Sequence, residues 1–144
     1  MRLCCVDASV AIKWYVQEPR SEAAVSLLAK AEAGQLRIVA PDLAVYEMMS
    51  ALRRLVGSQD VALPSARRAV SHFLTAVEFV NVEEFAPDAL DLAVQYGIWT
   101  YDASYLAVAS ARGCELWTED AKILSLKERL PWVRSLAELE RSKP

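Results

Sequence analysis

Asp7, Glu47, Asp102 and Asp120 are four carboxylates placed so that a parallel α/β fold would gather them into one pocket. Asp7 follows the apolar run Leu3-Cys4-Cys5-Val6, and Asp120 follows Leu116-Trp117-Thr118. Glu47 lies inside the apolar helical stretch 43–55, with Leu43, Ala44, Ser50 and Ala51 at i±3 and i±4. Asp102 opens the stretch 103–111. Buried carboxylates lose hydration and repel one another. A pocket holding four of them calls for a cation, and hard Mg²⁺ or Mn²⁺ suits oxygen ligands best. The chemistry this predicts is metal-dependent attack on phosphate. A competing role exists for three of the four, because Asp at a strand-to-helix junction is a favoured N-cap worth about 1 kcal/mol. Glu47 has no such role, and its nearest cationic candidates, Arg53 and Arg54, lie more than one turn away.

Proline and glycine mark out the elements that must position these acids. Gly34, Gly57, Gly97 and Gly113 each follow a helix-like segment, where a left-handed residue is wanted. Pro41, Pro64 and Pro87 each precede one. Helices are therefore predicted over about 21–33, 41–56, 64–77, 87–96, 102–112 and 120–129. Between them, 3–6, 37–40, 79–82 and 115–118 read as buried strands, with 133–134 as a possible edge strand. Helix lies in every strand-to-strand connection, which predicts an α/β fold: a central parallel sheet of four to five strands, covered on both faces. Ligands of such a sheet bind at the carboxyl ends of the strands, where Asp7 and Asp120 fall. Residues 1–144 read as a single domain, with the last few residues, 141–144, frayed.

Composition narrows the classes. A 144-residue chain with 54% hydrophobic and 24% charged residues can bury a real core. No apolar run approaches the ~18 residues of a membrane span, and no secretory leader pattern opens the chain, so a cytoplasmic location is expected. Cys4, Cys5 and Cys114 have no metal-ligand spacing and read as small hydrophobes. The net charge of −3 excludes a basic nucleic-acid coat. Arg53-Arg54 and Arg67-Arg68 are candidate phosphate contacts or ordinary solvated helix faces. His72 is the only histidine, which leaves a histidine-based site without a second ligand. Glu18, Glu22, Glu32, Glu83, Glu84, Asp88, Asp91, Glu128, Glu138 and Glu140 read as solvated, and Glu119 is expected to point away from Asp120. There is no GxSxG, no Walker loop and no GxGxxG.

The blocks Val6-Asp7-Ala8-Ser9, Pro41–Glu47 with Ser50–Leu52, Thr100-Tyr101-Asp102-Ala103-Ser104-Tyr105-Leu106-Ala107 and Leu116-Trp117-Thr118-Glu119-Asp120 resemble the motifs of PIN domains. The nearest pattern is that of the VapC-like toxins of prokaryotic toxin–antitoxin pairs. The resemblance spans nearly the whole chain. It implies a three-layer α/β/α fold and a Mg²⁺- or Mn²⁺-dependent endoribonuclease whose metal ligands are Asp7, Glu47, Asp102 and Asp120. It also implies that Ser9 and Thr118 support the site by hydrogen bonds. Ser50 departs from the pattern, since relatives often carry Asn there. The partners implied are RNA, a cognate antitoxin and a second copy of the chain, paired through helices 41–56 and 87–96. Met48, Met49, Leu52, Val94 and Tyr96 are the candidate dimer contacts.

Three other readings fit less of the sequence. A phosphotransfer receiver needs an acidic pair at the first strand end, where Cys5-Val6 precede a single Asp7. A dehalogenase-type phosphatase needs Asp-x-Asp, where this chain has Asp7-Ala8-Ser9. A non-catalytic RNA-binding relative would have lost acids, and none is lost. An RNA-processing or repair nuclease of the same type remains the alternative to a toxin, with the compact single domain favouring the toxin.

Overall fold

The computed structural model describes residues 2–141. Five strands form one parallel sheet: β1 (Arg2–Val6), β2 (Leu36–Pro41), β3 (Glu78–Val80), β4 (Glu115–Trp117) and β5 (Val133–Arg134). Their spatial order is β3-β2-β1-β4-β5. The chain winds outward from β1 to β2 to β3, then returns to place β4 on the other side of β1. The order reverses between β1 and β4, which makes their carboxyl ends the topological switch point. Asp7 N donates to the Trp117 carbonyl at 3.2 Å there and ties the two ends together.

The helices are α1 (Ala8–Ala11), α2 (Ser21–Glu32), α3 (Leu43–Gly57), α4 (Leu63–Ala76), α5 (Val82–Tyr96), α6 (Thr100–Arg112), α7 (Ala121–Leu124) and α8 (Leu136–Arg141). Helix α6 lies against β1, β2 and β4 and carries α5 on its flank, while α2 packs on β2 beside α4 and α8. Right-handed crossovers put α2 and α6 on opposite faces, because their connections run in opposite directions along the sheet. The predicted three-layer parallel fold is the one observed. Its centre is apolar and dry, with Cys5, Val6, Val39, Leu106 and Leu116 all at 0% exposure. The three cysteines are free thiols; Cys4 and Cys5 are buried and Cys114 is half-buried.

Several boundaries differ from the sequence reading, each for a local reason. Helix α5 starts at Val82 rather than Pro87, which sits inside it. Extended Asn81 precedes that start, Asp42 accepts from Val82 N at 3.1 Å, and Glu83 and Glu84 occupy the positive first turn. Pro41 ends β2 rather than opening a helix. Gly57 is the last residue of α3, and the left-handed position falls two residues later on Gln59, with φ of 65°. The expected helix 120–129 stops at Leu124 and continues as turns. Helices α1 and α8 had no periodicity to announce them, being four and six residues long. Arg141, expected to fray, closes α8, and 142–144 lie outside the described residues. Glu138 is not a free solvated acid: it accepts from Ser135 N at 2.7 Å and Arg134 Nε at 2.9 Å and holds the start of α8. Glu18 pairs with Lys13 at 3.2 Å.

Two of the residues offered as dimer contacts, Met48 and Leu52, belong to the core instead, at 0% and 3% exposure. They fall on the inner face of α3, one turn apart, while Met49 is 39% exposed. Met48→Ala should therefore cost about 2–5 kcal/mol of stability by leaving a cavity. Met49→Ala should change stability by no more than about 0.5 kcal/mol, since it leaves the core intact. Denaturant melts of the two variants measure the contrast, and equal losses would contradict the placement of α3.

Candidate active site

Asp7 is a carboxylate at 4% exposure, at the end of β1 and the N-cap of α1. Both oxygens are engaged. Oδ1 accepts from Ser9 Oγ at 2.5 Å and from Val10 N at 3.2 Å, and Oδ2 accepts from the hydroxyl of fully buried Thr118. Those hydroxyls are themselves held: Glu119 N donates to Ser9 Oγ and Asp120 N donates to Thr118 Oγ1, both at 3.0 Å. The network stitches the end of β1 to the loop after β4. It gives Ser9 and Thr118 supporting positions around the acid.

Glu47 projects from the middle of α3. Its Oε1 accepts from the Tyr105 hydroxyl at 2.6 Å, across 58 residues of sequence. The partner that a mid-helix Glu among apolar neighbours requires is thus a phenol, not Arg53 or Arg54, which are exposed. Tyr105 is 2% exposed and comes from α6, one turn after Asp102. It is the partner of Glu47 that sequence reasoning missed. The available signal was a tyrosine on an apolar helix face, whose hydroxyl needs a partner when buried.

Asp102 sits half-buried in the first turn of α6. Asp120 is the N-cap of α7, where its Oδ1 accepts from Lys122 N at 2.9 Å and Ile123 N at 3.0 Å. The capping reading of Asp7 and Asp120 is therefore correct as far as it goes. Asp102 has no capping bond; the N-cap position of α6 is Trp99.

Electrostatics connects all four acids. Burial pushes the Asp7 carboxyl up from 3.8 to about 7, with Glu47 adding to the rise and the bonds from Ser9, Thr118 and Val10 opposing it. Burial also raises Glu47, the Tyr105 bond opposes that rise, and the negative charges of Asp102 and Asp120 reinforce it. Asp102 is raised by burial and by Asp120, with Lys122 pulling the other way. Asp7, Glu47 and Asp102 thus each feel another acid of the set at one end of the sheet. Glu119 does not join them: its carboxylate turns to Arg20 at 3.6 Å and to Leu136 N at 3.4 Å. His72 lies away from them on α4, with Nδ1 2.7 Å from the Tyr15 hydroxyl.

A cavity of about 840 Å³ opens beside Glu47, walled by Ser9, Leu43, Tyr46, Arg54 and Tyr101 among others. Of the four acids only Glu47 lines it. Among the described residues no three Asp, Glu, His or Cys side chains converge tightly enough to enclose an ion by themselves. The donor chemistry nevertheless fits Mg²⁺ or Mn²⁺. The ligands on offer are all carboxylate oxygens whose mutual repulsion a cation would relieve, and Mg²⁺ commonly uses one or two carboxylates and keeps several waters.

The PIN domain family model matches residues 4–128. The chain is a PIN domain. The comparison with curated proteins finds Ribonuclease VapC3 of Pyrobaculum aerophilum, 34% identical over 130 residues, covering 88% of this chain and 93% of the relative. Among solved structures, PAE2754 of the same organism superposes with a TM-score of 0.69 at 24% identity over 98% of both chains. A toxin–antitoxin complex from Klebsiella pneumoniae gives 0.62 at 20% identity, over 92% of this chain and 97% of that one. The chain is thus similar to a curated VapC ribonuclease and shares its fold with these solved structures. No helix among its described residues is long and apolar enough to cross a membrane.

The raised Asp7 value makes a prediction for the metal-free protein. Between pH ~4 and ~7 the folded state holds a proton that the unfolded chain has released. The stabilisation from protonated Asp7 is therefore complete below ~4 and is lost as pH rises through ~7. Glu47 and Asp102 act in the same direction. In chelator, the melting temperature should fall between pH 5 and pH 8, and Asp7→Asn should flatten that dependence. An unchanged slope in the variant would mean that Asp7 is not the buried acid described.

Proposed function

We propose that this PIN domain is a Mg²⁺- or Mn²⁺-dependent endoribonuclease and the toxin of a toxin–antitoxin pair, acting in the cytoplasm on RNA phosphodiester bonds. The observation that carries the reading is the four-acid constellation at the β1/β4 switch point, on a chain 34% identical to a curated VapC ribonuclease over nearly its whole length. In this reading Asp7, Glu47, Asp102 and Asp120 hold the metal. When bound, such an ion polarises a phosphate oxygen and acidifies a water.

The chain's own contribution is orientation. Ser9 and Thr118 fix both oxygens of Asp7, so its carboxylate cannot rotate to relieve repulsion. Tyr105 engages one oxygen of Glu47 and leaves the other free to face the cavity. The capping bonds of Asp120 use Oδ1 alone and leave Oδ2 for the site. No histidine or thiol nucleophile is needed, because water attacks phosphorus directly. A cognate antitoxin suits the same geometry. An Arg or Lys of its chain, set beside the acids, would take over the charge-compensating role of the metal.

Chelator should abolish cleavage of RNA, Mg²⁺ or Mn²⁺ should restore it, and Ca²⁺ should support it poorly because its coordination is looser. Full cleavage in chelator would overturn the metal dependence. Asp102→Asn should lose at least about a hundredfold in kcat, an effect of the size seen when one preorganised electrostatic group is removed. Its melting temperature without metal should hold or rise, because Asp102 makes no capping bond and its charge repels Asp120. A variant that melts far below wild type would mean that the acid is structural. Tyr105→Phe should lower kcat more than it raises KM, since the hydroxyl positions Glu47 and touches no substrate.

A further inference from the structure

A second groove lies next to the acids, between the α5–α6 turn and α7. Tyr96, Gly97, Ile98, Trp99, Lys122 and Arg129 line a cavity of about 570 Å³ there. Two aromatic rings in it each carry a cation. Lys122 Nζ lies 5.7 Å from the Trp99 ring centroid, and the Arg129 guanidinium lies 5.1 Å from that of Tyr96. Trp99 is 67% exposed, so its ring is accessible to a ligand. Among the described residues, neither Lys122 nor Arg129 has an Asp or Glu within salt-bridge distance, although this acidic chain supplies carboxylates for the other ion pairs. Trp99 precedes Asp102 by three residues, and Lys122 follows Asp120 by two.

Cations without carboxylate partners, set against aromatic rings, are what an unpaired nucleotide requires. Its phosphate takes the ammonium and guanidinium, and its base stacks on the ring. A duplex could use the cations but not the ring, because its bases are already stacked on each other. We propose that the Trp99–Lys122–Arg129 groove is a subsite for an unpaired RNA nucleotide flanking the phosphodiester that the four acids act on. The proposal rests on the ribonuclease reading and adds to it a strand state and a position. Trp99 is the stacking platform. Lys122 and Arg129 swing from their rings to the phosphates on either side of the stacked base. The cavity lies in the ~300–1,000 Å³ range of small-molecule sites and holds one nucleotide comfortably.

The test uses the full chain and a labelled unstructured RNA 12-mer of mixed sequence, alone and annealed to its complement. Cleavage and fluorescence-anisotropy binding are measured for wild type, Trp99→Ala, Trp99→Phe and Lys122→Gln/Arg129→Gln. Binding is read with Ca²⁺ in place of Mg²⁺ or Mn²⁺, so that the acids are neutralised while cleavage stays slow. Trp99→Ala should weaken binding of the single strand roughly five- to a hundredfold and raise KM with little change in kcat. Trp99→Phe should recover most of that loss, because it keeps a ring. The double variant should weaken binding and reduce the slope of log affinity on log salt by one to two phosphates' worth. The duplex should bind weakly and be indifferent to Trp99. The subsite is overturned if wild type binds and cleaves the single strand while Trp99→Ala matches it, or if Trp99→Ala lowers only self-association or capture of a partner protein. Failure of the ribonuclease reading looks different: wild type then cleaves neither RNA with Mg²⁺ or Mn²⁺ present, whatever residue stands at 99.

Discussion

The buried carboxylate of Asp7 is the constraint from which the rest of the site follows. A charge at 4% exposure at the centre of a parallel sheet is unfavourable, and the fold accommodates it by giving both oxygens hydroxyl or amide donors. Those donors come from two places, the turn into α1 and the loop after β4. The carboxylate can be satisfied only where β1 and β4 run side by side. The strand order supplies that adjacency, since β1 and β4 pair residues 111 positions apart in the chain while β2 and β3 lie outward on the other side. Stability and site geometry are thus set by one hydrogen-bond network. The residual cost appears as a carboxyl pushed up to about 7.

The other three acids extend the same conflict outward with less burial. Glu47 and Asp102 are both raised, and each is raised in part by acidic neighbours rather than lowered by a salt bridge. A chain selected for stability alone would place a Lys or Arg among them. This chain places a tyrosine hydroxyl and a flanking lysine there, and keeps its ion pairs elsewhere, as in Arg37 with Glu78 and Arg134 with Glu138. Groups that push one another's pKa values up in one cleft, opposed by no more than a flanking lysine, are the arrangement a cation would relieve. Surface pairs such as Arg37–Glu78 contribute little by comparison.

The sheet and the longer helices were legible because their physics is local. Short β-branched runs, one after another with helix between, can only make a parallel sheet, and a parallel sheet sends its ligands to the strand ends. The acids followed from that placement. The failures share a cause as well. Pro87 within α5, the left-handed Gln59 after Gly57, and the early stop of α7 depend on capping and packing between segments far apart in sequence. The same holds for Tyr105. Its motif position is readable, but that its hydroxyl meets Glu47 depends on how α3 and α6 pack, which no window of sequence reports. Met48 and Leu52 were misplaced because the apolar residues of α3 occupy two faces, and periodicity alone does not say which one meets the core.

An acidic nuclease must still attract a polyanion. With a net charge of −3 and four acids concentrated at the chemistry, long-range attraction is weak, so affinity has to come from contacts at short range. Cations held against aromatic rings are well suited to that task. They are kept beside the acids without forming ion pairs that would have to be broken before binding, and their hydration is already reduced by the ring face. In the proposed reading a bound metal would serve twice, neutralising the carboxylates that would repel the scissile phosphate and activating the reaction at it. Binding and chemistry would then be coupled through charge: without a cation the acids would repel the substrate, and with one the flanking lysine and arginine would act on a neutralised field. The same logic would make the acid cluster a natural point for an inhibitor to grip, because a single inserted guanidinium would meet the electrostatic need that the proposed metal otherwise fills.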